Sequence, residues 1–264
     1  MKGKVLIGAL LMAGGATTRA DAQITVRSGS GANAAAIAAV RDQFRADIGG
    51  GTVAGANGSF GGRRREINWD GVPATSAAPN VLAANFFNVT SPRGVVYSTP
   101  GTYFEVSSAT SDAGVGQPAA PNFGDINPGY VTTFQTFSPQ RLFTPVGSNI
   151  FDVQFFVAGT GIAATVKGFG LVLTDVDVAS TTAVQFFDAG SNSLGKVFAP
   201  ALGGGLSFVG GFVTRGPVRI ARVRVALGNT TIGPGDNNAS SDIVVADDFI
   251  YGEPLDVVFA DGFE

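Results

Sequence analysis

In residues 218–227, VRIARVRVAL, the apolar residues Ala221, Val223, Val225 and Leu227 alternate with Arg222 and Arg224. A period of two puts one set on a buried face and the other in water, as in an antiparallel sheet with one wet side. Short runs rich in Val, Phe and Thr recur before it. They are NVLAANFFNV (80–89), TYFEVSS (102–108), NIFDVQFFVA (149–158), ATVKGFGLVLTDV (164–176), TAVQFFDA (182–189) and GGLSFVGGFV (204–213). Turn residues punctuate them. Many short strands with frequent turns predict an all-β antiparallel β-sandwich. With 21 Phe and one Trp in the chain, Phe fills its core.

The 264 residues suit one large all-β domain. Its boundaries are predicted at 63–254, preceded by a helix and a Gly-rich linker over 23–62 and followed by a tail at 255–264. The helix runs from Asn33 to Ile48: Ile37, Val40, Phe44 and Ile48 share one amphipathic face, Asn33 caps the start and Gly49 ends it. The linker is GGGTVAGANGSFGG (49–62). Residues 1–22 carry the three parts of a secretory signal peptide. Lys2 and Lys4 give a basic start, Val5 to Ala16 an apolar run too short to span a bilayer, and Ala20-Asp21-Ala22 a cleavage site. The expected mature chain starts at Gln23 and is secreted, extracellular or periplasmic, with no membrane span.

Composition removes several chemistries. There is no cysteine and no histidine, so Ser-His-Asp and Cys-His catalysis are excluded and the commonest zinc ligands are missing. Losing Lys2, Lys4, Arg19 and Asp21 with the leader leaves 14 basic against 19 acidic side chains, which argues against nucleic acid as a partner. A glycoside hydrolase needs two carboxylates facing each other across a cleft. The mature chain has four glutamates, Glu66, Glu105, Glu253 and Glu264, and nothing in the spacing of its aspartates selects a pair. GSNSLGK (190–196) has phosphate-loop spacing, but Val197 stands where Ser or Thr is needed and a strand follows, so it reads as a hairpin turn.

Three residues are candidate ligand contacts. Arg64 lies in the run Arg63-Arg64-Arg65, which is either a solvated charge run or a clamp for a carboxylate or sulfate. Trp69 is either core or a sugar-stacking platform. Tyr130 follows the turn INPG (126–129) and is a second stacking candidate. The stretch DIVVADDFIYGE (242–253) raises a different question, because Asp247 and Asp248 interrupt an apolar run side by side. Adjacent strand residues point to opposite faces, so one acid faces inward unless a bulge re-aims it. Asp175, Asp177, Asp236 and Asp242 also lie near strand ends.

The segments RREINWDGVP (64–73), FGDINPGY (123–130), FQTFSPQRLFTPVGSNIFDVQFFV (134–157), GFGLVLTDVDVASTTAVQFFDAGSNSLG (168–195) and DIVVADDFIYGEP (242–254) resemble uncharacterised secreted bacterial proteins. Those are related to anchored exported β-sandwich proteins with a Pro-Glu-Pro sorting tail. The resemblance covers most of the mature chain and implies a jelly roll without a known activity. GEPLDVVFADGFE (252–264) departs from it, having no membrane helix and no basic tail; its FADGFE ending is similar to those of other secreted bacterial proteins. ADDFIYG also looks like the last strand of galactose-binding-like carbohydrate-binding jelly rolls, where one acid helps hold a structural calcium. That resemblance implies pairing of REINWDG with DIVVADDFIYGE and a calcium held by Asp247 or Asp248 with Glu66 or Asp70. The leading expectation is a secreted non-enzymatic binding or surface-interaction module with glycan as ligand. A structural or adhesive matrix component is the alternative, and a carboxylate-dependent hydrolase the third.

Overall fold

A computed structural model describes residues 24–51, 58–112, 120–214, 219–235 and 240–256. The leader with its cleavage site, part of the Gly-rich linker, Asp236 and the FADGFE ending lie outside the described residues. The chain is all-β and antiparallel, built as two facing sheets. The larger sheet runs β1 (Ile24–Gly31), β11 (Leu202–Val213), β8 (Gly168–Val176), β13 (Val245–Gly252), β5 (Phe143–Val146) and β4 (Tyr103–Val106), with β2 (Arg64–Ile67) also paired to β13. The smaller runs β10 (Ser193–Phe198), β9 (Ala183–Phe187), β12 (Arg222–Ala226), β6 (Ile150–Phe155) and β3 (Val95–Ser98). A short ribbon joins β14 (Leu255–Asp256) to β7 (Ala164–Thr165).

The alternation read in 218–227 has its structural counterpart in β12. Val223 and Val225 are buried between the sheets while Arg224 is exposed. Phe does fill the interior: Phe104, Phe143, Phe151, Phe155, Phe169, Phe186 and Phe249 pack there with Tyr97, Tyr251 and Trp69. Phe143 and Trp69 stack with centroids 4.2 Å apart, and Phe249 meets Trp69 edge-on at 5.0 Å. GSNSLGK lies at the β9–β10 hairpin, where Asp188 Oδ1 accepts the Asn192 N–H at 2.8 Å.

Residues 24–31 form a strand that no local pattern in the sequence marks. They pair along their whole length with β11, from Ile24 opposite Val213 to Gly31 opposite Leu206. The residues before the expected helix therefore join the larger sheet as an edge strand. The α-helix α1 (Ala34–Asp47) follows, with Asn33 Oδ1 accepting the Ala36 N–H at 3.2 Å. Ile37, Phe44 and Ile48 are buried against Val172, Phe208, Phe212 and Ile250 on the outer face of the larger sheet. Two register partners, Gly170 and Gly210, make the floor beneath Phe44. A Cβ on Gly210 would stand 2.8 Å from the Phe44 ring, and one on Gly170 would stand 3.0 Å from it. The glycines in GFGLVL and FVGGFV thus admit an aromatic ring at backbone distance.

The helix α2 (Phe86–Val89) is one short turn before β3. A second cover lies farther along the same outer face of the larger sheet. Another short helix, α3 (Tyr130–Thr133), and its neighbours bury Phe123, Tyr130, Phe134 and Leu142 against Ile232, Ile243 and Val245. The larger sheet is thereby enclosed on both faces, whereas the smaller keeps alternating buried and exposed positions.

Phe44→Ala is expected to cost about 3–5 kcal/mol of unfolding free energy, because the ring is fully buried. Gly210→Ala should also destabilise, since its new methyl meets that ring. The double variant should be less destabilised than the two singles predict together, because the methyl enters space the ring has left. Denaturant unfolding of the four proteins checks this; strict additivity would mean that the helix does not sit on the glycine floor.

Candidate functional site

The expected pairing between REINWDG and DIVVADDFIYGE is present: β2 runs antiparallel to β13, with Ile67 opposite Phe249 and Glu66 opposite Ile250. On its other edge β13 pairs with β8, and there the register breaks. Between Ala246, opposite Leu173, and Phe249, opposite Leu171, β13 advances three residues while β8 advances two. The two residues inside this bulge are Asp247 and Asp248. The β2 edge changes partner over the same stretch, since Ala246 faces Phe143 of β5 and Phe249 faces Ile67 of β2. The bulge answers the question of adjacent acids: both side chains are buried, Asp247 fully and Asp248 to 5 % exposure.

The segment after α3 supplies their partners. The Phe137 backbone N–H donates to Asp247 Oδ2 at 2.6 Å. Ser138 Oγ lies 3.1 Å from Asp247 Oδ1 and 2.8 Å from Asp248 Oδ1. A hydroxyl carries one proton, so it can donate to only one of these oxygens. A carboxyl proton on Asp247 completes the set. Burial, and next the charge of Asp248, hold the Asp247 carboxyl well above the usual carboxylate range. Burial raises Asp248 too, while bonding to Asp247 and Ser138 pulls it back. The two carboxyls titrate as a pair, with Asp247, the more deeply buried, raised well above the usual range. Asp70 lies nearby, pushed up to about 6 by burial first and by Asp248 second.

Glu66 is committed elsewhere. Its Oε1 accepts from Arg45 Nε and Arg64 Nε, both at 2.8 Å, and its Oε2 from Arg45 Nη2 at 2.6 Å. Calcium requires six to eight oxygens. Among the described residues no three acidic side chains converge closely enough to hold a metal ion. As arranged, Asp247, Asp248, Asp70 and Glu66 come into one neighbourhood but do not fit a calcium shell. A carboxyl proton on Asp247 and two guanidinium groups relieve the repulsion that suggested the ion.

The three candidate ligand contacts are not brought together. Trp69 is 1 % exposed, its Nε1–H donating to the Asp247 carbonyl at 2.9 Å, so its ring offers no face to a sugar. Tyr130 is also 1 % exposed; its ring packs on Phe134, and its hydroxyl lies 2.8 Å from the Gly233 carbonyl. Turn INPG had suggested exposure, but the cover over the larger sheet turns Tyr130 inward. Arg64 is buried by its ion pair with Glu66, by bonds to the carbonyls of Gly50 and Gly51, and by the Phe60 ring 4.2 Å away. Arg65 pairs with Glu253 at 2.6 Å, leaving Arg63 the exposed member of the run. Asp242 is structural, accepting the Asp177 N–H at 3.0 Å and the Thr181 hydroxyl.

Sequence reading missed two features. Glu105 on β4 is 2 % exposed, its Oε1 has no hydrogen-bond partner, and burial followed by the Asp125 charge pushes it up to about 7. The second is the outer surface of the smaller sheet. It carries Phe187 and Phe198 beside Lys196, Arg222, Arg224, Asp152 and Gln154. Arg222 stacks 3.8 Å from the Phe187 centroid, Lys196 lies 4.9 Å from that of Phe198, and Arg224 pairs with Asp152 at 2.8 Å. Alternation in the strand sequences carried this signal, but Phe-Phe pairs such as Phe186-Phe187 concealed which ring faces water.

The raised carboxyls fix a pH dependence. A group whose folded pKa is raised adds stability that is complete below its unfolded value and is lost as pH rises through the folded one. For Asp70 and Glu105 that window runs from about pH 4 to about pH 7. Asp112 has the opposite sign. Burial pushes it up, but the Arg141 guanidinium more than offsets this and holds it low, so its contribution is lost in acid. The melting temperature should therefore peak near pH 4 and fall towards pH 8. Asp247→Asn keeps the shape and removes the titrating proton. It should flatten that fall and raise stability at pH 8 relative to the parent, with identical curves in calcium and in chelator. Thermal unfolding against pH checks it; an undiminished fall in the variant would contradict it. No helix among the described residues is long and apolar enough to cross a membrane. No family model, curated protein or solved structure matches this chain.

Proposed function

We propose that the chain is an exported, non-enzymatic surface-interaction module of the jelly-roll sandwich type, with glycan as its ligand class. The observation that carries this reading is the asymmetry of the sandwich. The outer face of the larger sheet is covered by α1 and by the segment around α3. Among the described residues nothing comparable covers the outer face of the smaller sheet, which presents Phe198, 46 % exposed, with Arg224 and Gln154, also exposed. A flat face combining apolar rings with guanidinium and amide donors suits a polyhydroxylated ligand, since rings pack on C–H faces and donors meet hydroxyls. The acids that converge lie buried under Ser138 rather than across an open cleft, which favours binding over hydrolysis. Export rests on the leader read in the sequence.

Calorimetric titration with a panel of neutral and acidic oligosaccharides tests the reading. Trp69 is buried, so tryptophan fluorescence is the wrong reporter. For a ligand that binds, Phe198→Ala should cost about 2 kcal/mol, a rise in Kd of about thirtyfold, with unchanged thermal stability. Silence across the panel would favour the structural or adhesive role instead.

A further inference from the structure

Arg63, the exposed member of the arginine run, lines a cleft of about 240 Å³ at the C-terminal end of α1. Lys167, Arg219, Thr165 and Glu253 line the same cleft. Thr165 is 4 % exposed, and its Oγ1 is fully buried with no hydrogen-bond partner. Arg219 Nε is likewise buried without a partner. A hydroxyl and a guanidinium N–H are thus both unmatched in one cleft, where buried donors are ordinarily satisfied.

Charge points the same way. Three cations face one carboxylate, and that carboxylate is used up. Glu253 Oε1 accepts from Arg65 and Oε2 from the Ser59 hydroxyl at 2.9 Å. The end of α1 contributes a partial negative charge, but Lys167 Nζ already meets the Asp47 carbonyl at 2.6 Å and Arg63 Nη1 the Gly49 carbonyl at 3.3 Å. Each cation has further donors.

We propose that this cleft binds a small oxyanion, a carboxylate, sulfate or phosphate group, through Arg63, Lys167, Arg219 and the Thr165 hydroxyl. Arg forks and a hydroxyl match the several acceptor lone pairs of such a group. The cleft lies beside the C-terminal end of α1, where the chain enters β2 and β8 and leaves β13, and the β7–β14 ribbon forms one wall; it shares no lining residue with the outer face of the smaller sheet. Binding there neither requires nor excludes the glycan reading.

The test uses the purified protein with sodium sulfate, sodium phosphate and sodium acetate, each against sodium chloride at matched ionic strength, by calorimetry and thermal unfolding. A saturable heat with at least one oxyanion is expected. Preference for acetate assigns a carboxylate, and preference for sulfate or phosphate a tetrahedral group. Arg219→Gln and Arg63→Gln should each raise Kd about tenfold or more. Thr165→Val should weaken binding while leaving the melting temperature in chloride unchanged or higher, since it removes an unmatched hydroxyl. Arg41→Gln, a charge loss outside the cleft, should bind as the parent does. Sulfate and phosphate stabilise proteins generally by exclusion from their surfaces. A shift of equal size in the parent and all three cleft variants therefore overturns the proposal, as does the absence of saturable heat with every anion.

Discussion

The larger sheet is organised by the interruption in β13. That strand lies at the centre, with β8 on one edge and, on the other, first β5 and then β2. A strand cannot hand over from one neighbour to another without a gap in its ladder, and a gap leaves backbone groups that must find partners. The bulge at Asp247 and Asp248 fills this one. Asp247 accepts the Trp69 Nε1–H at its carbonyl and the Phe137 N–H at its carboxyl, so an indole and a neighbouring loop supply partners where strand pairing is interrupted. Trp69, at a φ of 63° in the left-handed region, is held there by this bond and by its stack on Phe143.

From that centre the two faces acquire different characters. Phe137 and Ser138 are drawn onto the outer side of β13 by the acids, which seats the segment carrying α3 over the sheet. Beside it α1 lies on Gly170 and Gly210, the only residue type that lets Phe44 approach two backbones at once. Both covers belong to the larger sheet. Among the described residues the smaller receives none of comparable extent, and its Arg, Lys and Phe side chains stay at the surface.

Fold class was legible because its signals are local: the alternation around Arg222 and Arg224, the turn residues and the wealth of Phe each act within a few residues. The helix was legible for the same reason, through Ile37, Phe44 and Ile48. β1 was not, because ITVRSGSG is short, rich in Ser and Gly, and gains its strand character from β11, far along the chain. In the site, the adjacency of Asp247 and Asp248 signalled both the anomaly and the pairing with β2. What satisfies the acids was hidden, since Ser138 lies more than a hundred residues away. Glu66 looked available as a ligand because Arg45 comes to it from the helix, a contact that no spacing encodes. Trp69 and Tyr130 show the same limit, as burial is a property of the assembled sheets.

The central claim is that Asp247 keeps a proton within the bulge, beside Asp248 and Ser138. Side-chain carboxyl ¹³C resonances of aspartate-labelled protein, followed against pH, report it most directly. At pH 7 the Asp247 resonance should remain at the protonated position, and it should not move when calcium is added. Two fully ionised carboxylates at pH 7, or both resonances shifting together with calcium, would contradict the account.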